Sequence, residues 1–398
     1  MFPKSFQKVA DALKLGLGLN KSRAQSLAAL TLTAVEDKSV LLDDAAKRLP
    51  GGAKHKHKFR RIQRFLQQVY IDFSTVAIMI MGLIAHLSKE PLVLALDRTG
   101  WKTRGDREEN ILLLSVCLGT MGIPLLWHDL GRRGNSGVME RAELVSRFLR
   151  IWGVERIQCL IGDREFVGKE WFAWLEKENI PFLMRLRKSD RIARTCGKST
   201  SAENLFRDLG RGEVMDLGTR RAFQTAMGIC ATRLSTGELL ILGYHAGLNG
   251  VTALAMYRQR WSIEVGFEKL KTHGFNLEST RLCGEGKIER MLVPVALGAA
   301  WSYAGGCWSV EVHGGIKPKK HGRPEESVFR RGLNMLGGVL LGTFSDLRRA
   351  ARFSFGLLVS AAKAAETERL RARGHCGSFL PILYAILAMN RIVKFAKS

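Results

Sequence analysis

The chain has 398 residues, 46% of them hydrophobic, with 62 lysines and arginines against 37 aspartates and glutamates and a formal charge of +25. That length and apolar content bury a large core in more than one structural unit, which excludes a disordered or fibrous chain. The charge implies a polyanionic partner. Nucleic acid ranks ahead of an anionic membrane, because the cations are spread along the chain and not gathered on one amphipathic anchor. A sugar-cleaving enzyme is disfavoured: only 5 tyrosines and 8 tryptophans are available as stacking surfaces.

The seven cysteines, at 117, 159, 196, 230, 283, 307 and 376, form no CxxC pair. Neither a disulfide framework nor a zinc knuckle is indicated, and a reducing cytosol fits. The opening MFPKSFQKVADALKLGLGL lacks the apolar run and cleavage site of a secretory signal, so export is not expected. The apolar stretches Phe73–Leu87 and Leu292–Trp308 are short and interrupted by Ser, Thr, His or Gly, which predicts buried helices and no membrane partner.

In chain order, residues 1–90 read as helical, through SRAQSLAALTLTAVE, LLDDAAKRL and FSTVAIMIMGLIAHL. Between the second and third lies a basic passage with Lys54, Lys56, Lys58, Arg60, Arg61 and Arg64. It leads into a helix with apolar positions Ile62, Phe65, Leu66 and Val69. A cationic entry to an amphipathic helix suits a DNA-gripping element, the alternative being a solvated basic loop; the global charge favours DNA. His55 and His57 have no third ligand nearby and read as ordinary basic-loop residues.

From Pro91 the pattern changes. PLVLALDRT, ILLLSVCLG and GIPLLWHDL predict three successive strands, followed by helix VMERAELVSRFLRIW, strand RIQCLIGDREFVG, helix GKEWFAWLEKENI and strand PFLMRLR. This is a mixed α/β layer that sets Asp97 and Asp163 at strand ends. For a single such carboxylate the turn-forming reading is the stronger one; two of them together with Glu264 tell against it. Residues 188–250 turn polar and Gly-rich with strand-like runs such as AFQTAMGICATRL and ELLILGYHA, predicting a β-rich insertion. After position 271 come a polar passage, an apolar helical region to Trp308, the basic link KPKKHGRP and Leu-, Ala- and Arg-rich helical segments.

The stretch YRQRWSIEVGFEKLK, Tyr257 to Lys271, predicts a helix with Met256, Ile263, Phe267 and Leu270 on one apolar stripe. Tyr257, Arg260, Glu264 and Lys271 then fall within roughly a 60° arc beside it. A carboxylate among phosphate-seeking groups suits metal-assisted phosphoryl chemistry. Arg260 and Glu264 are equally an i,i+4 pair of the kind that forms solvated ion pairs.

The spacing of Tyr257, Arg260, Glu264 and Lys271 resembles the Tyr-Arg-Glu-Lys signature of DDE transposases of the insertion-sequence-four family of bacterial mobile elements. LALDRTGW around Asp97 and LIGDREFVG around Asp163 resemble that family's other two acidic regions, and LPGGAKHKHKFRRIQRFL resembles its N-terminal DNA-binding region. The likeness runs from about residue 25 to 350. Glu165 stands where the family commonly has a small residue, adding a fourth carboxylate.

The resemblance implies an α/β, RNase H-like catalytic core with a β-rich insertion and helical flanking regions. Its divisions would be a DNA-binding region over 1–90, a core over 91–187 and 251–310, an insertion over 188–250, and a helical region suited to dimerisation over 311–398. It further implies that Asp97, Asp163 and Glu264 hold two Mg²⁺ or Mn²⁺ ions, that Arg260, Lys271 and Tyr257 contact the DNA backbone, and that Trp261 stacks on an unpaired base or packs in the core. The implied partners are double-stranded DNA and a second copy of the chain in a synaptic complex, in the bacterial cytosol, with no small-molecule substrate. Two other functions share many of these features: a hydrolytic RNase H-like nuclease or resolvase, and a catalytically silent DNA-binding remnant.

Overall fold

The computed structural model describes residues 3–87, 91–102, 108–119, 121–195, 197–260, 275, 277–280, 282, 284, 286–320 and 322–372. They fall in two compact units, one of Met1–Lys89, Trp101–Glu109 and Phe267–Ser398, the other of Glu90–Gly100 and Asn110–Gly266.

The first unit is helical. It opens with α1 (Pro3–Leu17), α2 (Lys21–Asp37), α3 (Leu42–Arg48), α4 (His55–Gln68) and α5 (Phe73–Ile84). Asn20 caps α2 by accepting from the Arg23 N–H, and from Ala24 to Val35 the helix is buried almost all round, so its small and apolar residues form the centre of the bundle. Asp72 caps α5 in the same way, and that helix is buried from Thr75 to Ile84. No single helix among the described residues is long and apolar enough to cross a membrane.

The second unit is built on a ten-stranded sheet among the described residues. Strands β1 (Leu92–Lys102), β2 (Glu108–Leu118) and β3 (Met121–Asp129) follow one another. Helix α6 (Val138–Trp152) then leads to β4 (Ile157–Gly162), and α7 (Lys169–Lys177) to β5 (Phe182–Arg185). β4 lies parallel to β1, and β5 parallel to β4. Leu92 to Leu96 are all buried, as a strand covered on both faces requires, and this is why the segment reads as a continuous apolar run. Strand order 3-2-1-4-5, with two parallel crossovers after the initial strands, is the RNase H-like arrangement expected from the sequence.

The insertion extends this same sheet. It contributes β6 (Arg191–Ala193), β7 (Ser199–Ser201), the short α8 (Ala202–Leu205), β8 (Val214–Ala222), β9 (Thr225–Arg233) and β10 (Leu239–Tyr244). The full order is β3-β2-β1-β4-β5-β10-β9-β8-β6-β7, with β10 antiparallel to β5. The run AFQTAMGICATRL is a hairpin corner: Phe223 and Gln224 both take positive φ, 54° and 67°, and Ala222 pairs with Thr225. Helix α9 (Gly250–Tyr257) follows β10 directly.

The chain then returns to the helical unit with α10 (Lys287–His313), α11 (Val328–Leu341) and α12 (Leu347–Ala372). α10 and α11 approach through glycines: a Cβ on Gly332 would lie 1.6 Å from the Ser302 carbonyl oxygen, and one on Gly306 would lie 2.0 Å from that of Val328. The Trp301 indole N–H donates to the Ser354 carbonyl at 3.0 Å, fastening α10 to α12.

Candidate active site

The carboxylate pair is set by strand register. Leu96 of β1 pairs with Gly162 of β4, so the next residues, Asp97 and Asp163, follow where the parallel pairing stops. Asp163 lies just past the carboxyl end of β4, whereas β1 runs on to Lys102, which sets Asp97 inside its strand and not at the strand end expected from the sequence. The carboxyl end of β4 is where an open α/β sheet places its chemistry. Gly162 is needed there, because a Cβ would meet Met184 Sδ at 2.5 Å and Phe166 Cβ at 3.0 Å.

Asp97 is half-buried, and its carboxyl is pushed up to about 6, chiefly by burial, with the charges of Glu165 and Asp163 adding to the rise. The Arg98 N–H, which donates to Asp97 Oδ1 at 2.8 Å, and the charge of Arg260 oppose it. Asp163 receives the Tyr257 hydroxyl at a long 3.5 Å and has Arg185 Nη1 at 4.0 Å. Burial foremost drives the Tyr257 phenol well above its ordinary range, so at neutral pH it is a hydrogen-bond donor.

The signature stretch differs from a single helix starting at Tyr257. Tyr257 closes α9, and Arg258–Arg260 forms a 3₁₀ turn. At three residues per turn, positions i and i+3 eclipse, which puts the Arg260 guanidinium 5.6 Å from the Tyr257 ring centroid. Asp97, Asp163, Tyr257 and Arg260 are therefore brought together; Trp261, Glu264 and Lys271 lie outside the described residues, as do the apolar-stripe positions Ile263, Phe267 and Leu270.

Of a second tier of the site, only Glu165 was anticipated. Glu165 is gripped by Arg98 through Nε and Nη2, each at 3.1 Å. Arg98 Nη1 donates to Asn110 Oδ1 at 3.0 Å, and the buried Asn110 donates in turn to the Arg132 and Gly134 carbonyls at 2.8 Å. The fourth carboxylate is thus charge-paired beside Asp97. The one signal in the sequence was a repeated Asp-Arg step, at 97–98 and again at 163–164. Asp216 of β8 also matters: it accepts from the Gly250 N–H (2.8 Å) that opens α9, from the Tyr244 hydroxyl (2.7 Å) and from the Gly218 N–H (2.9 Å). One side chain thereby ties β8 and β10 to the helix that carries Tyr257.

Among the described residues no group of three or more His, Cys, Asp or Glu side chains is arranged to hold a metal. Asp97 and Asp163 nevertheless offer the hard oxygen donors a divalent cation takes, and such a cation would relieve the smaller, charge-crowding part of the rise at Asp97, burial being the larger.

In the helical unit the basic passage is sorted by its helix, which begins at His55, so His55 and His57 occupy its first turn and not a loop. Lys54, Lys56, Arg60 and Arg64 are exposed, whereas Ile62, Phe65 and Leu66 are buried. Lys58 donates to the Leu49 carbonyl at 2.6 Å; Arg61 donates to the Ser22 carbonyl at 2.6 Å and to Gln25 Oε1 at 2.9 Å. These two cations hold α4 to its neighbours.

Sheet order and the neighbouring carboxylates Asp97 and Asp163 define an RNase H-like core. Residues 88–299 match the family model of the transposase DDE domain, just over half the chain, and the protein belongs to that family. No curated protein matches the chain. Members of this family act on DNA and generally use divalent metal ions.

Proposed function

We propose that the protein is the transposase of a bacterial insertion sequence of the insertion-sequence-four group, which binds the element's terminal inverted repeats and performs cut-and-paste excision and strand transfer. The observation that carries this reading is the placement of Asp97 and Asp163 just beyond the last paired residues of adjacent parallel strands, with Tyr257 beside Asp163 and the charge of Arg260 acting on Asp97.

Asp97, Asp163 and Glu264 are the oxygen donors. Two Mg²⁺ ions held there, with Mn²⁺ able to replace them, would supply activation of water or a 3′-hydroxyl and stabilisation of the leaving oxygen in an in-line displacement. Tyr257 donates to Asp163 and orients that carboxylate. Arg260 and Lys271 contact phosphates beside the scissile bond, and Trp261 stacks on an unpaired base. The exposed row Lys54, Lys56, Arg60 and Arg64 on α4 holds duplex backbone, with Lys58 and Arg61 setting the helix and not touching DNA. Two copies of the chain synapse two ends, in the bacterial cytosol.

The test uses the full chain, DNA carrying the element ends, and Mg²⁺, comparing wild type with Asp97→Asn, Asp163→Asn and Glu264→Gln. The expected result is cleavage and joining by the wild type only, with end binding in chelator unchanged in all variants. Cleavage without joining would reduce the protein to a hydrolytic nuclease, and binding without metal-dependent cutting to a silent remnant. A Glu264→Gln protein that still cuts would remove the glutamate from the site.

A further inference from the structure

The basic link between α10 and α11 has a structure of its own. α10 ends at His313 with Gly314 at φ 87°, and α11 starts after the Ser327 cap. Between them the Glu325 N–H donates to the Lys317 carbonyl at 2.9 Å, the Lys319 N–H to the Arg323 carbonyl at 2.8 Å, and the Gly322 N–H to the Lys319 carbonyl at 2.8 Å. Pro318 and Pro324 form the antiparallel bridge between these rungs.

The segment is a small hairpin turning at Lys319–Gly322, with Gly322 at φ 82°. Its prolines occupy the one pair of opposed positions whose N–H groups the ladder does not use, so they stiffen it at no cost in hydrogen bonds.

Register then sorts the side chains. Directly opposed residues share a face and successive residues alternate. Lys317, Lys319 and Arg323 lie on one face with Glu325 at its base, Pro318 and Pro324 lie on the other, and Lys320 stands in the turn. All four cations are exposed. Lys317 and Lys319 are about 7 Å apart along the strand, far enough to meet different phosphates of a duplex.

We propose that this hairpin, Lys317–Glu325, is a second and sequence-independent contact for the phosphate backbone of duplex DNA, separate from α4. The proposal rests on the transposase reading for the presence of DNA, but not on the assignment of the catalytic residues. Duplex DNA is favoured over an acidic protein because the hairpin carries no aromatic or aliphatic anchor of the kind that dominates protein interfaces. It is favoured over a membrane because there is no apolar side chain to insert beside the cations.

The experiment uses the full chain in chelator with a duplex of arbitrary sequence. Replacing Lys317, Lys319, Lys320 and Arg323 together by Gln should make the slope of log affinity against log salt shallower by about 3 to 4, since each phosphate contact contributes about 0.9. Replacing the three lysines by Arg should leave the slope as in the wild type. A Gln variant with wild-type slope and affinity would overturn the proposal, as would hairpin-dependent binding to phosphatidylserine vesicles without binding to the duplex.

A second readout needs no substitution. Proline after Lys317 and Arg323 blocks trypsin there, leaving the bonds after Lys319 and Lys320 as its sites in the hairpin. Saturating duplex should slow cutting at both, and an unchanged rate would also overturn the proposal. Because the binding assay contains no metal it is independent of cleavage, so a protein that binds through the hairpin in chelator yet cuts nothing when Mg²⁺ is supplied would sink the transposase reading and leave this one standing.

Discussion

Replacing Asp97 by Asn should make the metal-free protein more stable at neutral pH while ending its chemistry. The carboxyl is pushed up to about 6 by burial first and by neighbouring Glu165 and Asp163 second, against about 3.9 for an aspartate in the unfolded chain. Between those values the folded state holds a proton that the unfolded state has lost, so wild-type stability falls as pH rises through this window and the loss is complete above about 6. The gap corresponds to about 3 kcal/mol, which partial solvent access reduces to about 2. Asn carries no such penalty. In chelator, guanidinium unfolding followed by tryptophan fluorescence should give equal stabilities near pH 4 and a variant more stable by about 2 kcal/mol at pH 7. Other titrating groups cancel in the difference. A difference that stays flat with pH would refute the account of Asp97 as a carboxylate held against its own charge for the sake of a cation.

Two further outcomes follow from the packing. Gly332→Ala should cost at least about 3 kcal/mol, because its Cβ would stand 1.6 Å from a backbone oxygen, that of Ser302, and only separation of α10 from α11 relieves the clash; thermal melting of the purified variant measures it, and a wild-type melting temperature would show the helices to be less closely apposed. For Asp216, burial acts to raise the carboxyl, but the Tyr244 hydroxyl and the Gly218 and Gly250 N–H groups together outweigh it and hold it below the ordinary range. Its stabilisation is complete above the unfolded value, about 3.9, and is lost as pH falls through the lower folded value. Asp216→Asn should therefore lower stability at neutral pH and make the acid transition seen by circular dichroism below pH 4 shallower, because the unfolded state then takes up fewer extra protons, and an unchanged acid profile would contradict it.

What the sequence made legible was what periodicity encodes. The apolar run at Leu92–Leu96 ends in a carboxylate, and so does Ile157–Gly162; their neighbourhood was a fair inference, though the register that aligns them comes from pairing. Three features lay beyond it. The corner at Phe223–Gln224 takes positive φ with neither Gly nor Asn, so no turn chemistry marks it. The 3₁₀ turn at Arg258–Arg260 keeps the composition of a helix while changing which side chains eclipse. The sorting of Lys58 and Arg61 from Lys54, Lys56, Arg60 and Arg64 depends on where carbonyls of distant residues fall, and charge counting treats all six alike.

The ladder from β5 to β10 makes the insertion an integral part of the enzyme's core. β5 ends the parallel set, and an uncovered edge there would invite pairing with any extended chain. β10 closes that edge and hands the chain straight to α9, five residues on. Shortening is therefore expected to cost least at the far margin, β6 and β7, and most next to β5. A trimmed relative that keeps only one insertion strand should keep β10, since without it the helix bearing Tyr257 would lose its point of departure.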